Sequence, residues 1–275
     1  MFLSVFSRKL LPGKMSFVDH LEALRGHLFR CILAIASGAI VVAVFNRFFI
    51  KRILMGPLQT DFPTYEALCK LGKALHFNQL CMNGINVQMQ STGVNTQFSM
   101  FFSVIIIGGL ILAFPFIFYE FWKFIRPALS VEEKSKTKGV LFWVSLLFFL
   151  GVLFGYFVIA PYTVNFFANF KIDSAVENRW TVNSYIETLV PIILGAGLAF
   201  QLPLVMFFLS KIGIVSSSFL KNKRKYAIVI MLIVAGVITP PDVLSQVVVT
   251  VPLIILYEVS IILTKRVEYK KARAL

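Results

Sequence analysis

GVITPPDVLSQ, residues 236–246, interrupts the most apolar region of the chain. From Tyr226 to Thr264 only Asp242 and Glu258 are charged, while KNKRK at 221–225 and Lys265-Arg266 flank the region with positive charge. Strongly basic flanks stay on the cytoplasmic side of a membrane. The chain between them must therefore go out and come back, with TPPD as the turn. Proline cannot continue a helix and restricts the residue before it, and Asp242 is suited to cap the returning helix. The outgoing arm, 226–239, reaches roughly 21 Å at the helical rise, short of a hydrocarbon core of about 30 Å. The returning arm is longer, but Pro252 is expected to break it. Both helices of this hairpin are expected to be short, which thins the bilayer locally or calls for shielding by neighbours.

The rest of the chain fits this frame. Its 275 residues are 58% hydrophobic and include 29 Phe, and the mean hydropathy is +0.81. That is too apolar for a soluble domain of this length and marks an all-α polytopic membrane protein. Six apolar segments make one membrane domain over 1–275: about 28–48, 98–121, 139–160 (closed by Pro161), 188–210, 226–239 and 243–263. No β-period and no internal repeat is evident. With six spans, 20 of the 27 Lys and Arg residues fall on the side of the termini and 7 on the other. The positive-inside rule then puts both termini in the cytoplasm. The net charge of +14 belongs to those loops, and no nucleic-acid-binding module accompanies it. The N-terminal MFLSVFSRKLLPGK is broken by Arg8 and Lys9; it reads as a basic stretch on the membrane surface rather than a cleavable signal.

Three cysteines are present. Cys31 falls in the first span. Cys69 and Cys81 lie in the first outer loop, CKLGKALHFNQLC, where an oxidising compartment would favour a disulfide. A metal site with His76 is the alternative.

No Walker A motif, nucleophile elbow, HExxH or Gly-rich dinucleotide loop occurs, and His20, His27 and His76 have no ligand spacing. The expectation is a protein that is not an enzyme, with no metal and no cofactor. Gln201, in the fourth span before Pro203, serves either a hydrogen bond within the protein or a polar contact to a partner's helix. Glu120 and Glu258, near ends of spans, are expected to reach the interface. Asp19, Glu22, Glu132 and Glu133 stand among many bases on the cytoplasmic side. Unpaired carboxylates there would suit a guanidinium held bidentately.

Five collinear stretches resemble the TatC family: HLEALRGHL at 20–28, YEFWKFIRPALSVEEK at 119–134, GYFVIAP at 155–161, FQLP at 200–203 and TPPDVLSQ at 239–246. The resemblance implies a concave bundle of six transmembrane helices in the bacterial cytoplasmic (inner) membrane. It implies the receptor core of the twin-arginine translocase, which binds signal peptides bearing two consecutive arginines. With single-span TatA/TatB-type partners and other copies of itself, it would move folded proteins using the proton-motive force. The family's loop glutamate aligns with Glu133, and Phe124, Arg126 and Pro127 match its surroundings. Arg25 matches the amino-terminal motif, Pro57 a proline of the first outer loop, and Gln201 the position that meets a partner helix. Pro240, Pro241, Asp242 and Gln246 match the outer turn. One position departs: the motif's glutamate falls at 23, where this chain has Ala23. Glu22 is one residue earlier, about 100° away around a helix. Glu133 is therefore expected to carry most of the recognition, with Glu22 a partial substitute. A secondary transporter of a small solute is the alternative, but such transporters often carry repeats.

Overall fold

The computed structural model describes residues 17–74, 89–125, 137–173, 178–239 and 243–274. Apolar runs become helices because lipid offers the backbone no hydrogen-bond partner. In chain order they are α1 (Phe17–Val44), α2 (Asn46–Phe48), α3 (Pro63–Ala74), α4 (Thr96–Ile125), α5 (Thr137–Phe154), α6 (Ala160–Asn169), α7 (Val182–Ala199), α8 (Leu202–Ile212), α9 (Ser217–Asn222), α10 (Arg224–Ile238) and α11 (Val243–Ala274). A two-residue parallel ladder pairs β1 (Met89–Gln90) with β2 (Trp180–Thr181). Among the described residues, five segments are long and apolar enough to cross a membrane: Leu21–Val44, Thr96–Phe124, Gly139–Asn169, Val182–Ile212 and Gln246–Tyr269. The outgoing arm of the TPPD hairpin, α10, has only 15 residues. The turn residues Pro240, Pro241 and Asp242 lie outside the described residues.

Two prolines do not act as the sequence suggests. Pro161 does not close the third segment. A π-turn at Gly155–Ile159 leads into α6, with Pro161 in its first turn, and helix continues to Asn169. Proline at 161 leaves the carbonyl of Phe157 without its helical donor. The Thr64 hydroxyl of α3 supplies one at 2.5 Å. Pro252 does not break the returning arm either. The last helix is not short: α11 runs for 32 residues through Pro252. Val249, Leu253, Tyr257 and Ile261 are buried at a spacing of four, on both sides of the proline. One packed stripe holds the two halves of α11 as a single helix.

The main core joins Phe62 and Tyr65 to Ile159 and Val164, to Leu189 and Ile192 of α7, and to Val249 and Leu253 of α11. Between α2 and α3 the chain turns through a π-turn (Phe49–Leu54) and a 3-10 turn (Gly56–Leu58). Irregular backbone of this kind leaves carbonyls in need of donors. Three phenols serve them. Tyr156 donates to Ile53 at 2.8 Å, Tyr185 to Leu54 at 2.7 Å, and Tyr65 to buried Pro57 at 2.7 Å, with the Pro161 carbonyl 3.2 Å away. Gly56 leaves room for the Tyr156 hydroxyl: a Cβ would lie 2.5 Å from the Tyr156 oxygen and would push it away from the Ile53 carbonyl.

Tyr65→Phe removes the donor and leaves the Pro57 carbonyl buried and unpaired. It is expected to cost about 1–3 kcal/mol, read as a lower unfolding temperature in detergent. Burial also pushes the Tyr65 phenol above its ordinary value of 10.0. A raised folded pKa means that this contribution is full below pH ~10 and is lost as the pH rises beyond it. The wild type should accordingly lose more stability above that pH than Tyr65→Phe does. An equal loss in the two proteins would remove Tyr65 as the source.

Candidate functional site

Small residues set the geometry of the first site. At the α1–α4 crossing a Cβ on Gly38 would lie 2.7 Å from the Gly109 carbonyl oxygen, and one on Gly109 would lie 2.6 Å from the Ala39 amide nitrogen. Gly108 faces the Val42 side chain, whose methyl carbons would lie 3.0 and 3.2 Å from a Cβ there. Backbones this close fix the register of the two helices. That register brings the start of α1 beside the end of α4.

There, Glu120 projects from α4 between two residues of α1. Its carboxylate meets the His27 Nδ1 at 2.6 Å and receives the Arg30 guanidinium at 3.4 Å. Spacing of three residues places His27 and Arg30 on one face. Glu120 is only 3% exposed, which corrects the expectation that it reaches the interface. A buried carboxylate is tolerable only with such partners. The ring of Phe124, one turn further along α4, stands edge-on to His27 at 5.8 Å. Trp122 turns to the other side and packs on Phe208 of α8 at 4.9 Å. Its indole N–H is buried without a partner among the described residues.

Of the residues expected to greet a peptide, Glu22 and Arg25 are exposed on the first turns of α1, and Phe124 stands against His27 of the same helix. Arg126, Pro127 and Glu133 lie outside the described residues. The sequence reading missed the His27–Glu120–Arg30 cluster. Its signal was present in the sequence: one acid and two bases at ends of apolar runs, where isolated charges are costly.

The second site is Gln201, at the break between α7 and α8. Its Nε2 donates to the Val144 carbonyl at 3.1 Å. Its Oε1 is buried with no partner among the described residues. Within the hairpin, Gln246 donates to the Leu232 carbonyl at 2.9 Å and ties α11 to α10. Glu258 reaches Arg224 of α10 at 2.6 Å with both side chains nearly half exposed. Glu268, near the end of α11, accepts from the Ser217 amide at 2.8 Å and from its hydroxyl. It thereby caps α9 at the positive end of its dipole. Cys69 is disulfide-bonded and Cys31 is free; Cys81 lies outside the described residues.

These features define a multi-pass helical membrane protein with polar groups gathered where its long helices end and break. Residues 19–252 match the family described as Sec-independent protein translocase protein (TatC), and the chain belongs to that family. It is 41% identical to the TatC of Blattabacterium sp. subsp. Periplaneta americana over 261 residues, 94% of this chain and 98% of that one. It is 34% identical to the TatCy of Bacillus subtilis, covering 96% and 94% of the two chains. The fold superposes on a crystal structure of the twin arginine translocase receptor TatC with a TM-score of 0.65 at 29% identity, over 90% of this chain and 99% of that one. A second structure of that receptor, in DDM, gives 0.69 at 30% identity, over 89% and 98%. Protein transport is thus the role of its relatives.

Proposed function

We propose that this chain is the receptor core of a twin-arginine translocase. It binds signal peptides carrying two consecutive arginines at the cytoplasmic face of the bacterial inner membrane. The supporting observation is the buried Glu120, near the start of YEFWKF, which fastens that segment to His27 of HLEALRGHL and to Arg30 just beyond it. Glu22, Arg25 and Phe124, which the family resemblance assigns to peptide binding, lie on the two helices joined in this way. In this reading Glu133 is the principal acceptor for the paired guanidiniums, Glu22 assists where Ala23 replaces the motif's glutamate, and Arg25, Phe124, Arg126 and Pro127 shape the surface. Bidentate carboxylate–guanidinium pairs distinguish arginine from lysine.

The remaining assignments follow the same reading. The chain crosses six times, α10 making the fifth and shortest crossing, with both termini in the cytoplasm. Pro57, Pro240, Pro241, Asp242 and Gln246 then belong to the outer face, and Cys69 pairs with Cys81 there. Gln201 is the position that meets a polar group on a single-span TatA/TatB-type subunit. Translocation is powered by the proton-motive force in a complex with further copies of the chain.

Site-specific crosslinking from position 133 to a signal peptide in membranes tests the reading. Crosslinks are expected with Arg-Arg and to fall at least tenfold with Lys-Lys, about the effect of a charged hydrogen-bonded pair. Ala23→Glu is expected to strengthen them. Equal crosslinking of both peptides, even in Ala23→Glu, would refute the receptor role.

A further inference from the structure

A groove of about 490 Å³ runs along the outside of the α1–α4 pair, between Arg30, Ala34, Ser37, Gly38 and Val41 of α1 and Leu112 of α4. Its walls are apolar apart from two residues. The Ser37 hydroxyl is satisfied by the Ala34 carbonyl at 2.8 Å, so the floor offers no free hydroxyl donor. Arg30 closes one end. Its side chain is 42% exposed and only one of its nitrogens reaches Glu120, at 3.4 Å. The other guanidinium donors have no hydrogen bond among the described residues. No acidic side chain lines the groove.

The depth of Arg30 says what could fill this space. Residues 31–46, CILAIASGAIVVAVFN, carry no charge and span about 24 Å as helix. Arg30 therefore stands at the edge of the hydrocarbon, where lipid phosphates lie, and the groove runs inward from it. A long apolar trough with a cation at its polar end is complementary to a lipid carrying a net negative headgroup. A peptide helix would have to bring its own acid to this depth to use Arg30, whereas a lipid phosphate carries that charge there already.

We infer that the α1–α4 groove is a binding site for one anionic phospholipid, with an acyl chain lying against Gly38, Ala34 and Leu112 and the phosphate held by Arg30. The site is separate from the peptide-binding reading and does not rest on it. It would tie α1, whose other flank meets lipid broadly, to the bilayer at a fixed depth.

Native mass spectrometry of the full chain in detergent, titrated with phosphatidylglycerol or phosphatidylcholine and with no peptide present, tests the site. One phosphatidylglycerol is expected to be retained about fivefold more strongly than phosphatidylcholine, the increment of one basic side chain at an anionic surface. Arg30→Gln should bring the two lipids level. Because Arg30 also touches Glu120, Val41→Trp provides a second variant that fills the groove from an exposed position. It should lower retention of phosphatidylglycerol without lowering the unfolding temperature. Equal retention of the two lipids by the wild type would overturn the site. A preference that survives both variants would do the same, and so would density for a peptide or a second chain in the groove.

Discussion

Gly109→Val is expected to destroy the α1–α4 pair. The added Cβ would meet backbone: the Ala39 nitrogen at 2.6 Å, the Ala39 Cα at 2.9 Å and the Ile35 carbonyl oxygen at 2.9 Å. A neighbouring side chain could rotate away; these atoms can move only if the whole helix moves. Overpacking of a tight interface costs about 1–3 kcal/mol, and more where the backbone itself must shift. A loss of at least ~3 kcal/mol is a large part of a protein's margin, so the variant should fail to purify as a folded species in detergent. Gly109→Ala should fold with a clearly lower unfolding temperature. Gly139→Ala is the control: nothing lies within 4 Å of a Cβ there, and alanine favours a helix. Wild-type stability in Gly109→Val would show that α1 and α4 do not pack as closely as described.

The second large effect is expected at Glu120. Glu120→Ala leaves His27 and Arg30 facing an apolar gap. Removing one member of a buried pair costs about 3–5 kcal/mol. Arg30 is partly exposed and recovers some hydration, which brings the expected loss to ~2–3 kcal/mol. Glu120→Gln keeps an acceptor for His27 and should lose about half as much. A double-mutant cycle with His27→Ala isolates the 2.6 Å contact, with a coupling of at least ~1 kcal/mol expected. Additive losses would mean that the contact carries no energy of its own. In the receptor reading these variants should also weaken crosslinking of a twin-arginine peptide, because the start of α1 is no longer held against α4.

Most helices were legible because a long apolar run has few alternatives in lipid. What escaped the sequence reading depended on partners far away along the chain. Pro161 looked like a helix end because the local rule gives it no donor for the Phe157 carbonyl. The donor is Thr64, 93 residues earlier. Pro252 looked like a break because the stripe from Val249 to Ile261 becomes a constraint only when α8 packs against it. Glu120 looked like a surface acid because nothing near it in sequence announces His27 and Arg30. Gln201 was legible as a polar residue inside a span, serving either a bond within the protein or a contact to a partner's helix. Its split character, with the nitrogen bound to Val144 and the oxygen unpartnered, needed coordinates. The motif residues rest on family resemblance, and a resemblance names positions without supplying the contacts that hold them.

The hydroxyls of Tyr65, Tyr156, Tyr185 and Thr64 reach carbonyls that lie on other segments. None of the segments 52–58, α3, the Gly155–Pro161 turn or α7 can therefore swing away alone without leaving a carbonyl without its donor. They are expected to open together rather than one at a time. The α10 arm is different: Met231 and Ala235 are its buried residues, and Gln246 reaches only one of its carbonyls. Breathing motions of the molecule should start at α10 and stop at the tyrosine-bound block. The fold thus comes with a rigid anvil and a loose edge, and any rearrangement during transport has its direction set in advance.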